Sequence, residues 1–584
     1  MTLHTPRRPN TDRPARNGSS TAPHAPRRPN ADRRTGPGRA ILLLSTLLLA
    51  GAAAVHAPAV RAAAEETGQA TAGNDPALVV EAPDPAGAVP VELAGAQARP
   101  AGPGVHAAPG LLRITRAGAY LLRGDYTGTV RIEVPERDDV VLILANAAIE
   151  PAQGPAIEAL EGRSLAILYA EASVNRVRAG AAAGPGHAAI RSAPALTLGG
   201  GFAGSGSLRV EAPGADGVVA DGSLALTGGS LAVEAGGDAL RSAHSVTLSA
   251  PRTELRAEGA GVVAASEDPA RGYLDVHGGA LEVRSGADGL SATGDAIVRD
   301  GSLRVASGGG ADAQLADGGR ASAVRAGDAL ELRGGSLELD AAEHGLTAAG
   351  PLSLRDGRVQ IAASDKGLDS RTGVWIEGGA LGVSRSYEGI EAPRVTVSGG
   401  VLHIASFDDA LNVSRAPADG GLGDSGVPEP DAALIVSGGE LTLMARDDCI
   451  DSNGTLEISG GTLMLVGPES EGYGALIDSD DAFTLSGGRI DGAGRAALSV
   501  DPSPDSGQGW LAARAHGPAG AHVQILDPSG AVLADYRSHR SFQEVFHSSP
   551  AVQPGARYTV LVDGAAAGEA IAGRPPTGDE GDES

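Results

Sequence analysis

Short acidic motifs recur along the chain: ADGV at Ala215, GDAL at Gly237, ADGL at Ala287, EHGL at Glu343, DKGLDS at Asp365, YEGIEA at Tyr387, DDALNVS at Asp408 and DDCIDSNG at Asp447. Residues His344, Lys366, Glu388 and Asp409 are 22, 22 and 21 positions apart. Asp448 follows after 39, the excess being a Gly/Pro-rich insertion, APADGGLGDSGVPEP, from Ala416. The next unit carries ALIDSDD, with Asp478, Asp480 and Asp481. If the spacing is structural, these groups stack. Carboxylates about 5 Å apart repel by about 1 kcal/mol in bulk water, and by about three times that at an effective dielectric near 20, so something should offset the charge. The oxygen donors Asp365, Asp369, Glu388, Glu391, Asp408, Asp409, Asn412, Asp447, Asp448, Asp451, Asn453 and Asp478 come with little histidine and no thiol pattern. That set suits calcium rather than a transition metal. The early copies at Asp216, Asp238 and Asp288 read more simply as turns; the dense stretch from Asp365 to Asp481 reads as a calcium cluster.

The elements that would position these groups come from a second repeat in phase with the first. Gly-Gly or Asp-Gly is followed by x-Leu-x-Val in GGSLAV at Gly228, GGALEV at Gly278, DGSLRV at Asp300, GGSLEL at Gly334, DGRVQI at Asp356, GGALGV at Gly378, GGVLHI at Gly399, GGELTL at Gly438 and GGTLML at Gly460. Gly335, Gly357, Gly379 and Gly400 are spaced 22, 22 and 21. A fixed period of this size means a solenoid. Each unit alternates apolar and polar residues between glycines, which is strand periodicity. Two or three short strands in about 22 residues make one coil of a parallel β-helix, with equivalent residues stacked about 4.8 Å apart. The unit lacks the Leu-x-x-Leu-x-Leu-x-x-Asn spacing of leucine-rich repeats. The expected fold is all-β, with the solenoid over 111–500, a small C-terminal β module over 502–564 covering its end, and an acidic disordered tail over 565–584.

The chain of 584 residues has 46 Lys+Arg against 72 Asp+Glu, a net charge of -26, and a single cysteine. The charge argues against nucleic acid, and the cysteine count excludes a disulfide framework or a Cys-ligated zinc site. No stable protein partner is evident. Residues 1–40 are basic, and Ile41 to Val55 is an apolar run followed by small-residue sites near Ala62 and Ala64. That order of basic, apolar and small residues is a signal peptide over 1–64 and predicts a secreted or cell-surface protein. Fifteen apolar residues fall short of the roughly 20 of a bilayer span, so membrane contact arises only if the leader stays uncleaved as an anchor. Residues 65–110, rich in Pro, Ala and Gly, read as a spacer.

The run SYEGIEAPRVTVSGGVLHIASFDDALNVS, followed by DDCIDSNGTLEISGGTLMLVGPESEGYGALIDSDDAFTLSGG, closely resembles a bacterial extracellular family of carbohydrate-binding domain-containing proteins. The resemblance extends over roughly Leu111 to Gly564. The family's YEGIEA falls on Tyr387 to Ala392, its D-D-G-I-N on Asp408 to Asn412 and its D-G-I-D-S-N-G on Asp448 to Gly454, with Ala410 and Cys449 where the family usually has glycine. The resemblance implies a right-handed parallel β-helix related to pectate-type polysaccharide lyases. It also implies calcium on the acidic ladder and binding to cell-wall polysaccharides such as polygalacturonate and cellulose.

Three functions remain open. In a calcium-dependent polysaccharide-binding module, the cation would reconcile an acidic protein with an acidic polymer, and Tyr387, Phe407, Trp375 and Tyr473 would offer rings for sugars to stack on. In a pectate lyase, calcium would acidify the proton beside a uronate carboxylate and Lys366, the only lysine, would remove it. Flanking acids make Lys366 a poorer base, and a structural lysine that neutralises the ladder is the simpler reading. In a surface adhesin or matrix scaffold, calcium would act as a staple alone. GDSGVP at Gly423 has the form of a serine-protease nucleophile segment but lies in the insertion, with no partnering histidine segment.

Overall fold

The computed structural model describes residues 85–574 apart from 182–186, 200–205, 269, 317, 416–428, 430 and 470–473. The leader, most of the insertion with its GDSGVP segment, Tyr473 and the tail beyond 574 lie outside the described residues. Among the described residues the only helix is a single 3-10 turn, Pro85–Gly87.

The chain winds through three short strands per turn. One coil is Leu352–Leu354, Arg358–Ala363 and Lys366–Ser370; the next is Val374–Ile376, Ala380–Arg385 and Glu388–Glu391; a third is Arg394–Val397, Val401–Ala405 and Leu411–Val413. Each strand pairs in parallel with its counterpart one coil on. The first two strands of successive coils build a 29-stranded sheet and the third builds a 15-stranded one. This is a parallel β-helix.

Stacked ladders form the core. Leu337, Val359, Leu381, Leu402, Leu441 and Leu463 stand in register, as do Leu339, Ile361, Val383, Ile404, Leu443 and Leu465. All are buried. Truncating one such side chain, Leu402→Ala for example, removes contacts to the coils above and below and costs about 2–5 kcal/mol. Glycine opens each unit because the chain there turns through a left-handed conformation against the preceding coil. Gly400 has φ 87°, and a Cβ on it would come within 2.9 Å of the Gly378 carbonyl oxygen.

Both ends differ from the sequence reading. Strand Val89–Gly95 pairs in parallel with Gly118–Tyr126 and antiparallel with Gln97–Pro100, while Val105–Ala108 pairs antiparallel with Leu111–Ile114. The end of the expected spacer over 65–110 is therefore part of the solenoid. Its apolar alternation, Val89, Val91 and Leu93, is too short to stand out among Pro, Ala and Gly. At the other end, Ala565–Ile571 is a strand paired with Arg557–Val562, not the start of a tail. Only Ala570 is buried within it, so it carries no strand pattern. The C-terminal module covers the last coil through Phe542–Ser548, which pairs antiparallel with both Phe483–Gly494 and Trp510–Gly517. Buried His547 links its Nδ1 to Asp491 Oδ1 at 2.8 Å across this junction.

Candidate functional site

The third strand of each coil fixes the acidic ladder. Leu346, Leu368, Ile390, Leu411 and Ile450 stack inward, so the residue after each faces out and forms the column Thr347, Asp369, Glu391, Asn412 and Asp451. Ile450 bridges Ile477, which continues the column toward Asp478. The turn entering each third strand carries a second column, in which Lys366 pairs with Glu388 in register.

Turn acids share one structural task. Asp216 Oδ1 accepts the backbone N–H of Asp238 at 2.8 Å, and Asp238 Oδ1 accepts that of Ala260 at 2.8 Å. Asp288 Oδ1 accepts the N–H of Ser322 at 2.9 Å, and Asp409 Oδ1 that of Asp448 at 2.9 Å. Asp448 Oδ1 in turn accepts the N–H of Ala475. Each acid caps an amide of the following coil.

Charge compensation separates the two halves of the ladder. Toward the N-terminus arginines neutralise the acids: Arg241 pairs with Asp238, and Arg325 pairs with Asp288 at 3.0 Å and Glu343 at 2.6 Å. Lys366 pairs with Glu391, which also accepts a bond from Ser414 Oγ at 3.2 Å. Beyond it, Asp408, Asp409 and Asp448 make no ion pair among the described residues. Burial pushes the Asp409 carboxyl up to about 10, reinforced by the charges of Asp448 and Asp451. Burial likewise raises Asp448 to about 8 and Glu388 to about 7, the latter despite the nearby Lys366. Burying charge without a counter-charge favours the neutral acid.

The donor set there fits a hard cation. Asp408, Asp409 and Asp447 each offer a ligand atom, all within 4.8 Å of one another. Glu388 Oε2 on the preceding coil, and Asn412 Oδ1 on the coil of Asp408 and Asp409, are buried without a hydrogen-bond partner. Buried oxygen acceptors with no donor are costly, and a calcium ion takes only such groups.

The other sequence candidates are spread more widely. Asp369 accepts a 2.7 Å bond from Thr347 Oγ1, and Asp365 lies 3.7 Å from His344 Nδ1. Asp478 Oδ1 caps the N–H of Ser479 at 2.8 Å. Asn453 reaches Glu429, Nδ2 to Oε1 at 3.5 Å. Lys366 is 19% exposed and engaged with Glu391, the arrangement of a neutralising lysine. Cys449 is fully buried, with its thiol directed at the Leu443 carbonyl, as a core residue.

Among the aromatic candidates, Tyr387 and Phe407 are exposed, at 49% and 47%, on adjacent coils beside the cluster. The backbone N–H groups of Phe407 and Asp408 both donate to the Tyr387 carbonyl, at 3.1 and 2.8 Å. The Tyr387 hydroxyl also hydrogen-bonds Asp408. Trp375 lies half-buried in the 29-stranded sheet between Ser353 and Thr396, away from the acidic turns. The sequence reading missed Arg446, whose guanidinium carbon sits 4.5 Å from the Phe407 ring centre. The only signal was its position directly before the Asp447 motif.

The family model described as carbohydrate-binding domain-containing protein matches residues 110–367 and 320–471. No curated protein matches the chain. A solved structure titled the polysaccharide lyase-like protein from C. thermocellum, gadolinium derivative, is similar at 20% identity and a TM-score of 0.38, covering 42% of this chain and 96% of that one.

Proposed function

The chain belongs to the carbohydrate-binding domain-containing family, and from that premise we propose that it is a secreted, calcium-dependent binding protein for cell-wall-type polysaccharides, polygalacturonate or cellulose. The observation that carries the calcium reading is the break in compensation along the ladder. Arg241, Arg325 and Lys366 pair with Asp238, Asp288, Glu343 and Glu391, and beyond that point Asp408, Asp409 and Asp447 converge. Those three carboxylates would hold the ion, with Glu388 and Asn412 adjoining it. Bound calcium supplies the positive charge through which an acidic protein attracts an acidic polymer. Tyr387 presents a ring face against which the apolar face of a pyranose packs, while Phe407 beside it carries the Arg446 guanidinium. Lys366 serves as a counter-charge in this reading, since it is mostly buried and paired with Glu391. The basic leader and the apolar run from Ile41 to Val55 support export.

The test is sedimentation of the protein with insoluble polygalacturonate or cellulose in calcium or in EDTA. Binding in calcium, release by EDTA and loss of binding in Asp409→Ala/Asp448→Ala are expected. Unchanged binding in chelator would remove calcium from the mechanism.

A further inference from the structure

Arg446 differs from the cations that pair along the acidic ladder. Arg241, Arg325 and Lys366 are each tied to a carboxylate. Arg446 is exposed and makes no ion pair among the described residues, although Asp447 follows it in the chain. Its guanidinium lies over the half-exposed Phe407 ring. A guanidinium held over a ring by the cation–π attraction still has N–H donors free to reach beyond the ring edge. The Phe407–Arg446 stack rises from the same turns that carry Asp408 and Asp447, so a fixed cation stands at the rim of the carboxylate cluster without neutralising it.

From this arrangement we infer that Arg446 is a specificity-determining residue that holds the carboxylate of a uronate, selecting acidic polysaccharide over neutral glucan. The inference rests on the carbohydrate reading above and adds a discriminating group to it. A planar guanidinium matches a carboxylate through two parallel N–H···O bonds, and a neutral pyranose offers no such partner. Phe407 supplies the platform that holds the guanidinium in place and leaves Tyr387 open to a sugar ring.

The test uses the full chain in calcium, with polygalacturonate and with cellulose as separate probes, for wild type, Arg446→Gln and Arg446→Lys. Because Arg446 is exposed, both variants should fold, and unchanged thermal melting checks this. Arg446→Gln is expected to weaken polygalacturonate binding about tenfold, the scale of one charge-assisted pair, and to leave cellulose binding unchanged. Arg446→Lys should recover part of the loss, since it keeps the charge without the fork. Wild-type affinity for polygalacturonate in Arg446→Gln, or an equal loss for both polymers, would overturn the inference while leaving the binding function intact. Wild type that binds neither polymer would overturn both together.

Discussion

Asp409 accepts the backbone N–H of Asp448 at 2.9 Å from one coil to the next, so one side chain serves both the fold and the candidate cation site. The two roles separate by substitution. Asp409→Asn keeps an oxygen acceptor for the amide and removes the charge, whereas Asp409→Ala removes both. In EDTA near neutral pH, Asp409→Asn should melt close to the wild-type temperature, because a neutral amide replaces a carboxyl that burial already keeps protonated. Asp409→Ala should lose about 1–3 kcal/mol for the orphaned amide. Adding calcium should raise the melting temperature of wild type and of neither variant. Equal calcium stabilisation in all three proteins would remove Asp409 from the site.

Upstream, Arg325 takes the place that a cation would otherwise fill. It reaches Asp288 and Glu343 together, and all three side chains are largely buried. Replacing it with methionine should leave two buried carboxylates facing each other and cost about 3–5 kcal/mol. Arg325→Met/Asp288→Asn should recover part of that loss by removing one of the charges. Chemical denaturation in EDTA measures both, and a neutral single substitution would show that solvent already screens the pair. Polymer binding should be the same in either variant, because Arg325 lies outside the cluster at Asp408.

The period of 22, the glycine turns and the Leu/Val alternation made the solenoid legible, because each coil repeats the same inward and outward choice. The stacking of Lys366 on Glu388 and of Glu391 on Asn412 follows from that period alone. What the spacing could not reveal was charge pairing. Arg241 stands three residues beyond the turn acid Asp238, and Arg325 three beyond Ser322 in a coil without a turn acid; neither belongs to a motif, yet they decide which acids are neutralised. Trp375 carried no sign of which sheet it faced, and Asn453 sat inside an acidic motif while its side chain answered to Glu429, a residue of the insertion. Strand Ala565–Ile571 is held by its pairing with Arg557–Val562 and buries little, so no apolar pattern marks it.

Stability should depend on pH with a sign set by the metal. Without calcium, the folded protein holds protons on Glu388, Asp448 and Asp409 up to about 7, 8 and 10, where the unfolded chain has already released them. The folded state therefore binds more protons than the unfolded state above the ordinary carboxylate range, and stability falls as pH rises through that window. In EDTA the melting temperature should drop between roughly pH 5 and pH 8. Calcium must displace those protons, so its stabilising effect should grow over the same interval. A metal-free protein equally stable at both ends of that range would show that these carboxyls are ionised in the fold.

Lys366 decides between binding and bond cleavage. To take the proton beside a uronate carboxylate it would have to be a free amine facing the polymer. Its ammonium is instead mostly buried and paired with Glu391, itself a buried acid whose counter-charge among the described residues is Lys366, with Ser414 Oγ donating a hydrogen bond beside it. Incubation of the protein with polygalacturonate and calcium should give a flat trace at the absorbance band of unsaturated uronates. Lys366→Met should lower stability by about 3–5 kcal/mol through the unpaired Glu391, and Lys366→Met/Glu391→Gln should restore part of it. A rising trace in wild type that Lys366→Met abolishes, with folding intact, would make the lysine a working base and the protein a lyase.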